Sequence, residues 1–231
     1  ISFVEYDGAI KMKMFGTNGI RGEANGYLSC ELALKVGKSI AKVLGPGPIA
    51  IAKDTRVSSD MILSAVSAGL MSMGVDVHDL GMVPTPAIQY YVKTHQDVTG
   101  GVMITASHNP PEFNGIKCIA ADGTECSHEE ESAIEDYYET DIGTVPWERI
   151  GHMESITGAG EDYVDSIVSK VDVDLIGRSD IKVVLDCANG ASVNTSRMIL
   201  ERLGVQAVII NGEPDGMFPG HFSEPVEENL T

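Results

Sequence analysis

Ser107, His108 and Lys117 fall within one short run, "TASHNPPEFNGIK" (105–117), that begins where the apolar stretch "GGVMI" stops. One chemistry for such a cluster is nucleophilic attack by the serine with the histidine as base. In an extended loop, however, adjacent side chains point in different directions, so His108 need not serve Ser107. Ala106 before the serine and Asn109-Pro110 after it also differ from the G-x-S-x-G elbow of hydrolases. A second chemistry is a serine that carries a phosphoryl group. Phosphoserine brings roughly −1.5 to −2 charges and three acceptor oxygens, which call for cations. Lys117 and Arg21 could supply them, helped by a metal ion. A capped polar turn with no chemistry is the third reading of the same residues.

Other polar clusters sit at the ends of apolar runs. "KDTR" (53–56) follows "IAIA", and "DCANG" (186–190) follows "VVL". In open α/β sheets, ligands gather beyond the carboxyl ends of the strands. "FGTNGIRG" (15–22) adds glycine-rich backbone that can approach an anion closely, and Arg21 could grip a phosphate with two donors. The cysteines, Cys30, Cys118, Cys126 and Cys187, form no C-x-x-C pair and lack histidines at zinc spacing. All four are expected as free thiols.

The elements that must position these clusters alternate between strand and helix, which predicts an α/β class. "IAIA" reads as a strand. "SSDMILSAVSAGLMSMG" reads as a helix with Met61, Ile62, Ala65, Val66, Gly69, Leu70 and Met73 on one face, capped by Ser58 or Ser59 and closed by Gly74. "VDVHDLG" is the next strand, followed by a helix with Thr85 as cap and Pro86 at its first position. "GGVMITA" and "IKCIAADG" are strands, the latter ending in an Asp-Gly turn. Ser127 and Glu130 have capping-box spacing, at the start of an acidic helix (128–141) expected to be a solvated face. A domain boundary is placed close to 155, after which "YVDSIVSKVD" is helical. "IKVVLDCANGA", "TSRMILERLG" and "VQAVIIN" then repeat the strand–helix–strand order of the first unit.

Composition narrows the function classes. The 231 residues include 34 acidic and 16 basic side chains, a formal charge of −18. Such a surface repels phosphate backbones, which argues against nucleic acid and anionic membrane as partners. No apolar run reaches the ~20 residues of a membrane span, and the first residues lack the plan of a secretory signal. A cytoplasmic location is expected.

"FGTNGIRG", "KDTR", "TASHNP", "NGIK" and "DCANGA" occur in the order and approximate spacing of the α-D-phosphohexomutase family. Together they most resemble its phosphomannomutase/phosphoglucomutase group. The resemblance implies a three-layer α/β/α domain with a mixed sheet over 1–154, then the start of a similar domain over 155–231. It implies transfer of a phosphoryl group between O1 and O6 of a mannose or glucose phosphate, through a hexose bisphosphate. Ser107 would carry the phosphoryl group and lend an oxygen to Mg²⁺. His108 would order the site and its proton traffic, Lys117 would move a proton, and Arg21 would act electrostatically, since a guanidinium is hard to deprotonate. Asp54, Arg56, Asn109 and Asn114 would bind substrate or phosphate. The expected partners are hexose phosphates and hexose bisphosphate, and self-association into a homo-oligomer is left open. The family's D-G-D-x-D-R metal loop should follow "EENL" (227–230) and is absent, as are its later sugar and phosphate loops. Little mutase activity is therefore expected of this sequence alone. Other readings are a non-catalytic fragment binding sugar phosphate or a partner, a phosphoglucosamine mutase, and a serine hydrolase.

Overall fold

The computed structural model describes residues 2–6, 9–16 and 19–229. A hairpin of β1 (Ser2–Tyr6) and β2 (Ala9–Lys13) precedes β3 (Phe15–Gly16), β4 (Gly19–Glu23) and α1 (Cys30–Leu44). Then come β5 (Ile49–Lys53), α2 (Ser59–Ser72), β6 (Val77–Met82), α3 (Thr85–Thr94), β7 (Gly100–Ile104) and β8 (Phe113–Ala120). The chain continues through α4 (His128–Tyr138), β9 (Met153–Ser155), α5 (Ala159–Val168) and α6 (Val173–Arg178). It closes with β10 (Lys182–Asp186), α7 (Val193–Arg202) and β11 (Gln206–Ile210).

One mixed sheet runs β3-β4-β8-β7-β5-β6-β9. The pairings among β7, β5, β6 and β9 are parallel, and those among β3, β4, β8 and β7 are antiparallel. Its central strands are buried on both faces, so they read as unbroken apolar runs rather than alternating ones. Ile49 and Ile51 of β5 join the core under α1, α2 and α4, whereas Ala50 and Ala52 join the core under α3 and α5. This is the expected α/β/α layering. Beyond it, β10 and β11 form a separate parallel pair with α7 between them in the chain. The pair leaves its register partners Val184 and Val208 68% and 61% exposed.

Most expected elements are present, with local differences of physical interest. Helix α2 buries Leu63 and Ser67 as well as Ile62, Val66, Gly69 and Leu70, while Met61, Ala65 and Met73 sit at its half-buried margin. Ser58 occupies its N-cap position but caps no N–H; its hydroxyl accepts from Asn114 instead. Gly74 takes the expected left-handed conformation, φ 84°. Helix α3 begins one residue earlier than expected, with Pro84 rather than Thr85 at the cap. The Ser127–Glu130 capping box is formed. The acidic face that follows it is not wholly idle: Glu135 Oε1 accepts the N–H groups of Met14 and Phe15, each at 2.7 Å. Helix α5 starts at Ala159, four residues before the expected "YVDSIVSKVD". The short α6, capped by Asp172, was not expected from the pattern. The four cysteines are free thiols.

Helices α1 and α2 meet backbone to backbone at two glycines. A Cβ on Gly37 would strike Val66 O, and one on Gly69 would strike Leu34 O and come within 3.0 Å of Lys38 N. Bulk there must push two helices apart. Gly69→Val is expected to cost about 2–3 kcal/mol, a fall of roughly 5–10 °C in Tm for a chain of this size. An unchanged melting curve would show that the helices are not in such contact.

Candidate active site

The parallel pairing of β5 and β7 brings Lys53 opposite Ile104. The two segments leaving these strands, 54–56 and 105–109, therefore emerge side by side. Asp54 is the link between them. Thr105 Oγ1 donates to its Oδ2 (2.7 Å), Ser59 Oγ to its Oδ1 (2.8 Å), and the Arg56 backbone N–H to the same Oδ1 (3.0 Å). Thr105 also accepts the backbone N–H of Ser107 at 2.9 Å.

Arg56, 2% exposed, lies beneath the loop. Its Nε donates to Asp54 Oδ2 (3.0 Å), Nη1 to the carbonyls of Pro110 (2.5 Å) and Phe113 (2.9 Å), and Nη2 to those of Ser107 (2.9 Å) and Asn109 (2.7 Å). All five guanidinium N–H groups thus have an acceptor. Burial pulls the Arg56 pKa down from its usual value and Asp54 pushes it back up, while nearby Arg21 lowers it further. A guanidinium remains charged under such shifts.

With its carbonyl drawn inward, Ser107 takes a left-handed conformation, φ 57°. For a non-glycine residue that costs about 1–3 kcal/mol. Its side chain is exposed, with Oγ 3.4 Å from His108 Nδ1. That is longer than an ordinary hydroxyl hydrogen bond, so the two neighbours touch without forming a tight nucleophile–base pair. Arg21, on β4, reaches over from the antiparallel side of the sheet, and its Nη1 donates to Asn109 Oδ1 at 2.9 Å. Its Nε is buried and has no partner among the described residues. Thr17 and Asn18, of the glycine-rich stretch before it, lie outside the described residues.

The structure gathers Ser107, His108, Asn109, Arg21, Asp54 and Arg56 in one place, but in two roles. Ser107, His108 and Arg21 present groups to the open side. Asp54 and Arg56 are taken up by the loop itself. Asn114 is fully buried, its amide donating to Ser58 and Ser59 Oγ (2.9 and 3.0 Å) and its carbonyl oxygen accepting from Gly115 N–H (2.8 Å). It stands behind the loop as a brace. Lys117, on β8, pairs with Glu125 Oε1 at 2.5 Å rather than with Ser107. Thr105 was not singled out from the sequence, although it lies inside the motif, and Ser59 was read only as a helix cap. Ser223, which donates to the carbonyls of His108 and Asn109 (2.8 and 2.9 Å), carries no local signal, being over a hundred residues away.

Mg²⁺ asks for about six oxygens in a near-octahedral set. At this loop the described residues offer Ser107 Oγ, while both Asp54 oxygens are already engaged. Among the described residues no three His, Cys, Asp or Glu are grouped to hold a metal. These residues do not by themselves fit a Mg²⁺ site. No helix among them is long and apolar enough to cross a membrane.

Comparison with known proteins agrees with this architecture. Residues 12–143 match phosphoglucomutase/phosphomannomutase alpha/beta/alpha domain I, and residues 161–231 match alpha/beta/alpha domain II. A probable phosphoglucosamine mutase of Methanopyrus kandleri is 42% identical over 218 residues, covering 94% of this chain and 47% of the relative. A phosphoglucomutase/phosphomannomutase of Thermococcus kodakarensis is 40% identical over 226 residues, covering 94% and 49%. The solved structure of a putative phosphomannomutase from Thermus thermophilus superimposes with a TM-score of 0.82 at 29% identity, covering 95% of this chain and 51% of that one. The chain spans about half the length of the curated relatives it matches. With both domain matches in sequence order and the motif loop built at the strand ends, the chain belongs to the phosphoglucomutase/phosphomannomutase family.

Proposed function

We propose that Ser107 is the phosphoryl carrier of a phosphohexomutase that interconverts hexose 1-phosphate and hexose 6-phosphate. The observation that carries this reading is an outward, left-handed Ser107 close to the Asn109 that anchors Arg21, whose buried Nε has no acceptor among the described residues. A buried unpaired N–H costs about 1–3 kcal/mol, and a phosphate oxygen would relieve it. When a hexose bisphosphate donates, a bond forms from Ser107 Oγ to phosphorus and the sugar oxygen–phosphorus bond breaks. The hydroxyl proton leaves Ser107 and the sugar oxygen gains one. In this reading the proton lost by Ser107 ends on the departing sugar oxygen, and His108, whose Nδ1 lies 3.4 Å from Oγ, orders that traffic. Lys117 enters only by leaving Glu125, and then as a phosphate contact or proton donor.

Phosphoryl transfer through a loose transition state depends chiefly on positioning and charge neutralisation. Arg21 supplies the charge and the Asp54–Arg56 cluster the positioning. Mg²⁺, the ion expected with this chemistry, would neutralise further charge when bound, and at this loop Ser107 would offer it an oxygen. The sugar is proposed as a glucose or mannose phosphate on the likeness of "PPEFNGIK" to that group. The likeness to the probable phosphoglucosamine mutase of Methanopyrus kandleri favours a second reading, glucosamine phosphate. A cytoplasmic protein binding hexose phosphates completes this reading.

Intact-mass analysis after incubation with glucose 1,6-bisphosphate, and separately with glucosamine 1,6-bisphosphate, tests both points. One added phosphoryl group is expected on the chain and none on Ser107→Ala; labelling by a fluorophosphonate instead would favour a hydrolase. The better donor identifies the sugar. Arg56→Lys keeps the charge but offers fewer donors at a fixed geometry, leaving loop carbonyls unpaired. It is expected to lower unfolding stability by about 3 kcal/mol in urea titrations. A loss under 1 kcal/mol would mean the loop does not rest on the guanidinium.

A further inference from the structure

The residues between β11 and the 3-10 turn at Glu227–Asn229 have no regular structure, yet they are pinned at many points. Asn189, itself left-handed (φ 54°), donates from Nδ2 to Glu213 O (2.8 Å) and accepts Gly220 N–H on Oδ1 (3.2 Å). Its carbonyl accepts the N–H of Asp215 at 3.0 Å. Arg197 Nη2 donates to Gly212 O at 3.2 Å, and His221 Nε2 lies 3.4 Å from Asp186 Oδ2. Three side chains of the second unit, Asp186, Asn189 and Arg197, thus hold one excursion, 212–221.

That excursion and the residues just after it, to Ser223, reach the first unit at three places. Gly216 packs so closely that a Cβ there would run into Thr55 O and the Arg56 backbone. The ring of Phe218, held at φ 49°, stacks 5.0 Å from the Arg56 guanidinium carbon. That distance is within cation–π range, and the contact is stronger for a desolvated cation. Ser223 Oγ bridges the carbonyls of His108 and Asn109 at 2.8 and 2.9 Å. Arg56 therefore pulls the Ser107 loop from below, and Ser223 ties its next two carbonyls from the side.

We propose that residues 212–223 form a strap, and that Ser223 and Phe218 are positioning residues for Ser107. Ser223 fixes the direction of the His108 and Asn109 peptide groups, and so both the side chain beside Ser107 Oγ and the Asn109 oxygen that anchors Arg21. Phe218 covers the guanidinium from which the loop hangs. The consequence for phosphoryl transfer rests on the reading of Ser107 as carrier, whereas the mechanical link does not.

The test uses the full chain with Ser223→Ala and Ser223→Thr. The first readout is peptide-level amide hydrogen exchange. Ser223→Ala should exchange about five- to tenfold faster over 105–113, the size of one lost hydrogen bond, with α1 and α2 unchanged and Ser223→Thr near the parent. Unchanged exchange over 105–113, or a rise throughout the chain, would overturn the strap. The second readout is the rate of phosphoryl transfer from glucose 1,6-bisphosphate to Ser107. Ser223→Ala should lower the saturating rate by a similar factor with the half-saturating donor concentration little changed, and Ser223→Thr should restore it. An unaltered saturating rate would overturn the positioning role. If the parent chain takes up no phosphate, the carrier reading fails, and exchange alone decides the strap.

Discussion

A single buried guanidinium organises the site. Arg56 has no solvent on its side chain, and its five N–H groups are met by Asp54 and by four carbonyls spread over residues 107–113. A buried cation left unpaired is far costlier than any strain in the loop, so the loop must turn its carbonyls inward. The left-handed φ of Ser107 follows from that requirement, as does the outward direction of its hydroxyl. A lysine could not do the same: its ammonium has three donors and no planar fork. Asp54 holds the guanidinium in register while receiving Thr105 and Ser59, which ties the loop to the start of α2.

Those residues were legible in the sequence as chemistry but only partly as structure. The apolar runs of β5 and β7 announced buried strands, and "KDTR" and "TASHNP" announced polar groups at their ends. The capping box at Ser127 and the left-handed Gly74 were readable because both depend on local spacing. What Asp54, Arg56 and Asn114 touch was not readable, since a charged or amide group after a strand can face a ligand or the backbone equally well. Only the convergence of 54–56 with 105–113 decides between these. Lys117 illustrates the same point. Its partner Glu125 lies across a hairpin, and the pair is visible only once the register of β8 is known. Ser58 and Ser59 looked like caps, yet their hydroxyls are claimed by Asn114 and Asp54, a competition that composition does not reveal.

The acidic character of the chain takes on a different meaning beside this site. With a formal charge of −18, the molecule as a whole disfavours an anionic ligand. Arg21 and Arg56 stand together at the loop, and Arg56 is already compensated by Asp54. The field at Ser107 is therefore set by Arg21 more than by the total charge. Some of the acids are also structural: Glu135 closes off two backbone N–H groups at the start of β3, on the edge of the sheet. Surface repulsion and local attraction coexist because solvent screens the distant charges within about 10 Å at ordinary ionic strength.

The hydrogen bonds of Ser223 join residues 114 and 115 positions apart in sequence. On the ribosome, Arg56 and the four carbonyls it holds are all present once residue 113 has emerged. At about 5–20 residues per second, the strand-end loop then waits roughly 5–20 seconds for Ser223 to appear. The first unit can close its sheet and seat Arg56 in that interval, because domains fold as units during synthesis. The serine is thus made early and tied late, and a nascent chain displays Ser107 on a seated but untethered loop.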